Sequence, residues 1–313
     1  MSPDRTVQVL FSAPDVFYDS FFPVLTAALA EAQLPTVIRR EMDPAEVDYL
    51  VFAPNDLITD FSGFVRARAA LSIWAGVDRV LRNPTLTLPL ARMVDPGQRE
   101  GMVEYVVAHV LRHHVGMDRY ILSSSGWNQV APRLARQRRV AVLGLGELGG
   151  ACARALSSLN FDVHGWSRRP KTLDGVTCHA GAEGLEAVLA GTAIVVCLLP
   201  TTPQTENLLN AETLARLAPG AVVINPGRGA VIDDAALIAA LDDGHLGHAT
   251  LDTFRIEPLP EDHPFRAHPK VTVSPHVASL VRAETAARVI AENICRGEAG
   301  QPFLHLVSRR DGY

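Results

Sequence analysis

The sequence predicts an α/β protein made of two doubly wound parallel-sheet domains. Three observations carry that prediction. Short apolar runs alternate with stretches of helical periodicity from residue 6 to about residue 280, the pattern of parallel strands joined by crossover helices. The alternation starts afresh once, after the polar stretch SSSGWNQ at 123–129, where RRVAVLGLGELGG opens a new strand–turn–helix. A chain of 313 residues also exceeds what one hydrophobic core usually organises, so two domains are the natural division.

The elements follow in order. Residues 6–11 (TVQVLF) read as a buried strand, and residues 18–33, rich in Leu and Ala, as a helix. Residues 35–39 and 48–53 read as two further strands. Between Asp78 and Leu90 the chain passes through NPTLTLP, a loop with a short apolar strand. Residues 101–120 (GMVEYVVAHVLRHHVGMDRY) keep helical periodicity with almost no breaker. The second block places strands at 139–143, 162–166, 193–198, 221–225, 248–252 and 271–274. A last helix, about 281–297, is long enough to return to the first domain. The expected domains are therefore 1–98 completed by 282–313, and 99–281. No internal repeat of fixed period stands out.

Composition removes several function classes. Apolar residues at 48% and charged residues at 20% suit a soluble globular chain and argue against disorder. A net charge of -5 offers no electrostatic reason for a nucleic-acid or membrane partner. Arg136, Arg138 and Arg139 are basic, but they flank a strand and read as a solvated face. No apolar run approaches the roughly 18–20 residues of a membrane helix. The N-terminus carries Asp4 and Arg5 and leads straight into a strand, unlike a signal peptide. The cysteines, Cys152, Cys178, Cys197 and Cys295, show no CxxC pair and no metal-type spacing. They read as free thiols of a cytoplasmic protein with no metal site.

Gly144, Gly146 and Gly149 form G-x-G-x-x-G directly after the apolar run VAVL and at the opening of a helix. That context marks a Rossmann-type dinucleotide turn, in which the glycines let the backbone approach a pyrophosphate at a helix N-terminus. About twenty residues on, an NAD site usually has a carboxylate for the ribose 2′-hydroxyl. Here Ser167 stands in that place, followed by Arg168, Arg169 and Lys171, which suit a 2′-phosphate through charge and forked donors. NADPH is the expected cofactor, with NADH the weaker alternative. Asp162 is acidic but opens the strand, far from its ribose end.

Three later segments carry candidate chemistry at or just after strand ends: INPGRGAVID (224–233), LDTFRIEPLP (251–260) and VSPHVASL (273–280). Reduction of a 2-keto acid needs a cation for the carboxylate or carbonyl, a proton donor for the carbonyl oxygen and a hydride source. Arg228 supplies a planar forked donor. His276 supplies a proton near neutral pH. Glu257 can orient the imidazole and favour its charged form.

At these residues the chain resembles the D-2-hydroxyacid dehydrogenases over essentially its whole length, with the glyoxylate/hydroxypyruvate reductase A branch the most similar. AGVD (75–78), PLARMVD (89–95), MVEYV (102–106), WSRR (166–169), LDTFRIEPLP, SPHVAS and the terminal DGY carry the resemblance. It implies a Rossmann-type cofactor domain and a flavodoxin-like substrate domain with a cleft between them. It implies a catalytic set of Arg228, Glu257 and His276, and an Asp252 that holds the nicotinamide carboxamide. The substrate carboxylate is expected on the backbone N–H groups of Ala75, Gly76 and Val77, with Arg228 and His276 also contacting substrate. The expected cofactor contacts are Gly144, Gly146, Glu147, Leu148, Gly149, Ser167, Arg168, Arg169, Lys171, Pro200, Thr205, Pro226, Gly227 and Asp252. The long 101–120 helix suggests a homodimer by the same resemblance. Relatives often have Gly where this chain has Trp74, an indole that either narrows the substrate pocket or packs outward.

The implied activity is NADPH-dependent reduction of glyoxylate and hydroxypyruvate. A non-enzymatic dinucleotide sensor of the same fold is an alternative, although the compact length without appended segments favours an enzyme. A dehydrogenase for another 2-hydroxy acid, such as 3-phosphoglycerate, is a third reading. Other residues read as structural: His109 and His113 as a helix-surface or interface pair, Ser123, Ser124 and Ser125 as a polar linker, and His263 and His268 as loop histidines, His263 with some reach to the cleft rim.

Overall fold

The computed structural model describes residues 5–54, 57–121, 127 and 129–309. Along the chain come β1 (Val7–Ser12), α1 (Asp15–Glu31), β2 (Thr36–Arg39), β3 (Tyr49–Phe52), β4 (Ala69–Ser72), β5 (Leu90–Ala91), α2 (Pro96–Val115) and α3 (Asp118–Ile121). They are followed by β6 (Arg139–Leu143), α4 (Glu147–Ser158), β7 (Asp162–Ser167), β8 (Thr177–Ala180), α5 (Gly181–Leu189), β9 (Ile194–Cys197) and α6 (Ala211–Leu214). The last elements are β10 (Ala221–Asn225), α7 (Asp234–Asp242), β11 (Leu246–Leu251), α8 (Pro264–Ala267), β12 (Val271–Val273) and α9 (Ala283–Glu298). The chain divides into two compact units, Met1–Gln98 with Val281–Tyr313, and Arg99–Leu280.

The first unit is a parallel five-stranded sheet in the order β2-β1-β3-β4-β5. One of its apolar layers takes the buried face of α9, where Ala283, Ala286, Ala287, Ile290, Ala291 and Ile294 recur at helical spacing. Small alanines there let the helix lie close to the sheet. Strand β4 was not expected from sequence. Its residues AALS lack β-branched side chains, yet all are buried, with Ala69 and Leu71 in one apolar cluster and Ala70 in the other. Burial on both faces, rather than intrinsic propensity, makes that strand.

The second unit is a parallel seven-stranded sheet in the order β12-β11-β10-β9-β6-β7-β8. Val140, Val142, Ile194 and Val196 enter one core layer, while Ala141, Leu143, Val195 and Cys197 enter the other. That alternation explains why these strands read as unbroken apolar runs. The edge strand β8 has no such run and was also not expected. The long helix starts at Pro96, earlier than its periodicity suggested, and stops at Val115 because Gly116 takes φ 70°. Residues 118–121 then form a separate turn of helix. Strand order reverses between β6 and β9, so the loops leaving β6, β7, β9, β10, β11 and β12 emerge along one edge, where such sheets bind ligands. Among the described residues no helix is long and apolar enough to cross a membrane.

Candidate active site

The turn after β6 is shaped by close backbone approaches. Gly144 has φ 99°, and a Cβ there would lie 2.5 Å from the Leu198 carbonyl oxygen at the end of β9. A Cβ on Gly149 would lie 1.7 Å from the Gly144 oxygen, so this third glycine lets α4 seat against the turn. Gly146 differs: a Cβ there would meet nothing within 4 Å. Its lack of a side chain serves no internal contact and leaves open space at the N-terminus of α4. Gly146 is also the N-cap of that helix, with no side-chain cap on the free N–H groups around Glu147 and Leu148. A pyrophosphate fits these features, since it needs close backbone approach and unpaired donors.

At the end of β7, Ser167 is buried and its hydroxyl donates to the Arg169 carbonyl, 2.8 Å, closing the loop on itself. Arg168 and Arg169 present exposed side chains from that loop. Lys171 crosses back: its Nζ donates to the Leu145 carbonyl oxygen at 2.6 Å, tying the basic loop to the glycine turn. Asp162 stands at the opposite end of the strand beside Arg139 and His164. After β9, the Thr205 hydroxyl donates to the Pro200 carbonyl, 2.6 Å, and accepts from the Thr202 N–H, so it shapes that turn. After β10, a Cβ on Gly227 would lie 2.7 Å from the Cys197 oxygen, which seats the Pro226–Gly227 turn against the end of β9.

Arg228, Glu257 and His276 lie together on this edge. The His276 Nδ1 is 2.7 Å from Glu257 Oε2, and Glu257 Oε1 accepts the Phe254 N–H at 2.8 Å. Burial pushes the Glu257 carboxyl up, but the hydrogen bonds from His276 and Phe254 and the positive charges of His276 and Arg228 outweigh it and hold it below its ordinary value. The Arg228 guanidinium donates to the Gly227 carbonyl, 2.7 Å. The loop carrying it packs so tightly on the 254–255 backbone that a Cβ on Gly229 would lie 2.1 Å from the Phe254 carbonyl carbon. With Nδ1 held by Glu257, His276 Nε2 is the nitrogen left for a reacting group, and the side chain is half exposed.

His276 sits in the left-handed region at φ 55°, which costs a non-glycine residue about 1–3 kcal/mol. Asp252, fully buried at the end of β11, holds the turn in place. Its Oδ1 accepts from the Ser274 hydroxyl at 2.6 Å and the Val277 N–H at 2.9 Å, its Oδ2 accepts from the Ala278 N–H at 2.9 Å, and its backbone oxygen accepts from the His276 N–H at 2.9 Å. The sequence offered Asp252 only as a cofactor contact by resemblance. Its hold on the His276 turn was missed, as were its partners Ser274 and, behind it, Tyr105, whose hydroxyl lies 2.7 Å from Ser274 Oγ.

In the first unit, β4 runs into Trp74, Ala75, Gly76 and Val77. Among the described residues none accepts a hydrogen bond from the N–H groups of Ala75, Gly76 or Val77. Three successive donors at a strand's carboxyl end suit an anion. The Trp74 indole is half-buried in the apolar layer and meets Phe17 of α1 edge-on, ring centroids 6.1 Å apart. Its backbone is pinned by Ser72 and Met93.

Of the two readings for His109 and His113, helix surface or interface, the helix-surface one is corrected for His113. His113 Nε2 lies 3.0 Å from Thr250 Oγ1, and its ring packs 4.9 Å from that of His248, so His113 faces β11, while the His109 ring lies 4.5 Å from that of Tyr105. Burial pushes His113 down to about 3. No cluster able to hold a metal occurs among the described residues. His263 caps α8 by accepting the Phe265 N–H, and His268 pairs with Asp242. Burial drives the Cys152 and Cys197 thiols up to about 12, which removes them as nucleophiles. Ser123, Ser124, Ser125 and the terminal DGY lie outside the described residues.

Comparison with known proteins agrees with this architecture. Residues 105–278 match the family described as D-isomer specific 2-hydroxyacid dehydrogenase, NAD binding domain. The chain is 36% identical to glyoxylate/hydroxypyruvate reductase A of Serratia proteamaculans, over 95% of this chain and 99% of that one. The crystal structure of a D-isomer specific 2-hydroxyacid dehydrogenase from Xanthobacter autotrophicus Py2, in complex with NADPH and MES, superposes with a TM-score of 0.90 at 42% identity, covering 98% of this chain and 99% of that chain. An NADPH-dependent glyoxylate/hydroxypyruvate reductase from Sinorhizobium meliloti, in complex with NADP and sulfate, gives a TM-score of 0.85 at 33% identity over 98% and 100% of the two chains. The fold, the glycine turn and these matches place the chain in the D-isomer-specific 2-hydroxyacid dehydrogenase family.

Proposed function

We propose that this protein is an NADPH-dependent reductase of small 2-keto acids, turning glyoxylate into glycolate and hydroxypyruvate into glycerate, with NADH a weaker cofactor. The observation that carries the chemistry is the 2.7 Å His276–Glu257 pair with Arg228 beside it, on the sheet edge that also bears the glycine turn. Bound NADPH supplies the hydride that reaches the carbonyl carbon. His276 Nε2 gives the proton to the carbonyl oxygen, completing the hydroxyl. Glu257 holds Nδ1 and favours the imidazolium from which that proton comes. Arg228 draws the carboxylate and carbonyl through its forked donors. In the first unit, the N–H groups of Ala75, Gly76 and Val77 take the substrate carboxylate, and Trp74 braces their loop against α1. Gly144, Gly146, Glu147, Leu148 and Gly149 receive the pyrophosphate. Arg168 and Arg169 take the 2′-phosphate, with Ser167 and Lys171 shaping their loop. Pro200, Thr205, Pro226 and Gly227 form the surrounding turns, and Asp252 takes the nicotinamide carboxamide by resemblance.

The same reading makes the protein a cytoplasmic homodimer. Its four cysteines are unpaired, as in a reducing compartment, and Met117, Tyr120 and Ile121 leave exposed apolar surface just after α2. Glyoxylate, hydroxypyruvate, pyruvate and phenylpyruvate assayed in parallel with NADPH and NADH test the function. A charged hydrogen bond contributes about 1.5–3 kcal/mol, so each 2′-phosphate contact favours NADPH roughly ten- to hundredfold, and changing Arg168 and Arg169 together to Ala raises the KM for NADPH selectively. Equal kcat/KM for the two cofactors refutes the cofactor assignment. Phenylpyruvate outperforming glyoxylate refutes the small-substrate assignment.

A further inference from the structure

The face of α2 turned toward β11 and β12 is polar. Tyr105, His109, Arg112 and His113 recur on it at helical spacing. Arg112 Nη1 donates to Thr272 Oγ1 at 3.0 Å, His113 meets Thr250, and the Tyr105 hydroxyl lies 2.7 Å from Ser274 Oγ. Arg112, His113 and Tyr105 bond to the strands or to the segment just beyond them. Of these three, among the described residues, Tyr105 is the one hydrogen-bonded through to the candidate active site, because Ser274 is bonded in turn to Asp252.

We propose that Tyr105 is a positioning residue of this enzyme, acting through Ser274 and Asp252 on the turn that carries His276. The proposal rests on the reductase reading for the role of His276. The direction of the chain follows from its end. The Asp252 carboxylate accepts hydrogen bonds, so Ser274 spends its single proton on Oδ1 at 2.6 Å. Ser274 Oγ is then the acceptor at 2.7 Å and the Tyr105 phenol the donor. Burial, with the charge of Asp252 adding to it, pushes that phenol up to about 12, so it keeps its proton and donates across the working pH range. Each hydroxyl is polarised by the next bond in such a chain, which strengthens the whole. At its far end Asp252 accepts the N–H groups of Val277 and Ala278, and its own carbonyl accepts the N–H of His276. The phenol therefore fixes the rotamer of Ser274, Ser274 fixes the carboxylate, and the carboxylate fixes a turn whose central residue sits at φ 55°.

The charged and titratable groups around His276 are Glu257 and Arg228 on the loops and Asp252 below it, with Tyr105, His109 and Arg112 of α2 behind Asp252. Loosening the turn lengthens the bond between Nδ1 and Glu257. That weakens the pairing that favours the imidazolium over the neutral ring.

Tyr105→Phe keeps the ring and removes the hydroxyl. Losing one hydrogen bond of ordinary strength predicts a roughly three- to tenfold fall in kcat for glyoxylate reduction. The Kd for NADPH should change no more than kcat does, because the glycine turn and basic loop are untouched and the variant loosens only the Asp252 that is assigned to the nicotinamide carboxamide. The basic limb of the pH–rate profile and the NMR titration of the His276 imidazole, assigned against His276→Gln, should both move to lower pH. Ser274→Ala should reproduce these shifts, and the double variant should add little, since both act through one chain. An imidazole titration and basic limb that stay in place in both single variants overturn the proposal, even if melting temperature falls. A wild-type protein that binds NADPH but reduces no 2-keto acid overturns the reductase reading alone, because the imidazole titration still decides whether Tyr105 positions His276.

Discussion

Replacing Glu257 by Gln tests the central pair directly. Two unit charges about 4 Å apart attract by about 4 kcal/mol at an effective dielectric near 20. His276 and Glu257 have side-chain exposures of 52% and 35%, so solvent screens most of that. As the proposed proton donor in the reducing direction, His276 enters the reaction protonated, so the rate falls as the imidazole loses its proton. Removing the carboxylate takes away the partner of the protonated imidazole, so the basic limb should move to lower pH. The structure adds a second effect. Glu257 accepts on both oxygens, from His276 at 2.7 Å and from the Phe254 N–H at 2.8 Å. A glutamine has only one acceptor. If its oxygen keeps Phe254, its amide donates to Nδ1 and selects the neutral imidazole; if its oxygen keeps His276, its amide opposes the Phe254 N–H. Neither arrangement restores the imidazolium, so the amide is no silent isostere here. The assay is kcat/KM for glyoxylate from NADPH absorbance across roughly pH 5.5 to 9, a range that spans the histidine pKa. Above the wild-type limb the variant should be about tenfold slower for each unit the limb has moved. A basic limb that does not move means Glu257 does not govern the ionisation of His276, and the pairing then has no catalytic meaning.

Further outcomes follow from the same geometry. His276→Ala should lower kcat by roughly 10²–10⁴-fold while NADPH still quenches or shifts protein fluorescence, since the donor is removed and the glycine turn is not. Arg228→Lys should raise the KM for glyoxylate and also lower kcat, because an ammonium lacks the planar fork; steady-state kinetics showing full activity would falsify the substrate role. Gly146→Ala and Gly149→Ala should separate binding from folding. The first meets empty space and should weaken NADPH binding without lowering the melting temperature of the free protein, whereas the second puts a Cβ 1.7 Å from the Gly144 oxygen and should destabilise the fold itself. Thermal melts with and without NADPH read both.

Local patterns were legible in the sequence, and long-range polar contacts were not. Apolar runs announced β6, β9 and β10 because both faces of those strands are buried. The glycine turn was legible because close backbone approach admits no other residue. Arg228, Glu257 and His276 were legible through motifs that follow strands, and their convergence follows from parallel topology, which gathers those loops on one edge. By contrast, β4 is built of alanines that favour helix until packing on both faces overrides them. The direction of Trp74 depended on Phe17, far away in sequence, and Lys171 turned toward Leu145 rather than staying simply part of a basic run. Tyr105 gave no sign of its role, because Ser274 lies 169 positions further on.

The geometry of the exposed pair is therefore set from within the unit. His276 and Glu257 are reached by solvent, and an exposed ion pair on free loops contributes little and wanders. Here the imidazole is placed by its backbone, which is held in a costly conformation at φ 55°. Three hydrogen bonds to a fully buried carboxylate, each worth about 1.5–3 kcal/mol when one partner is charged, outweigh the roughly 1–3 kcal/mol of strain. Glu257 is fixed independently by the Phe254 N–H. Neither partner depends on the other for its position, so the 2.7 Å contact is a consequence of two separately held loops. Such a pair loses little order when the imidazole changes charge. That suits the proton donor proposed here, which gives up a proton and recovers it in every turnover without the site rearranging.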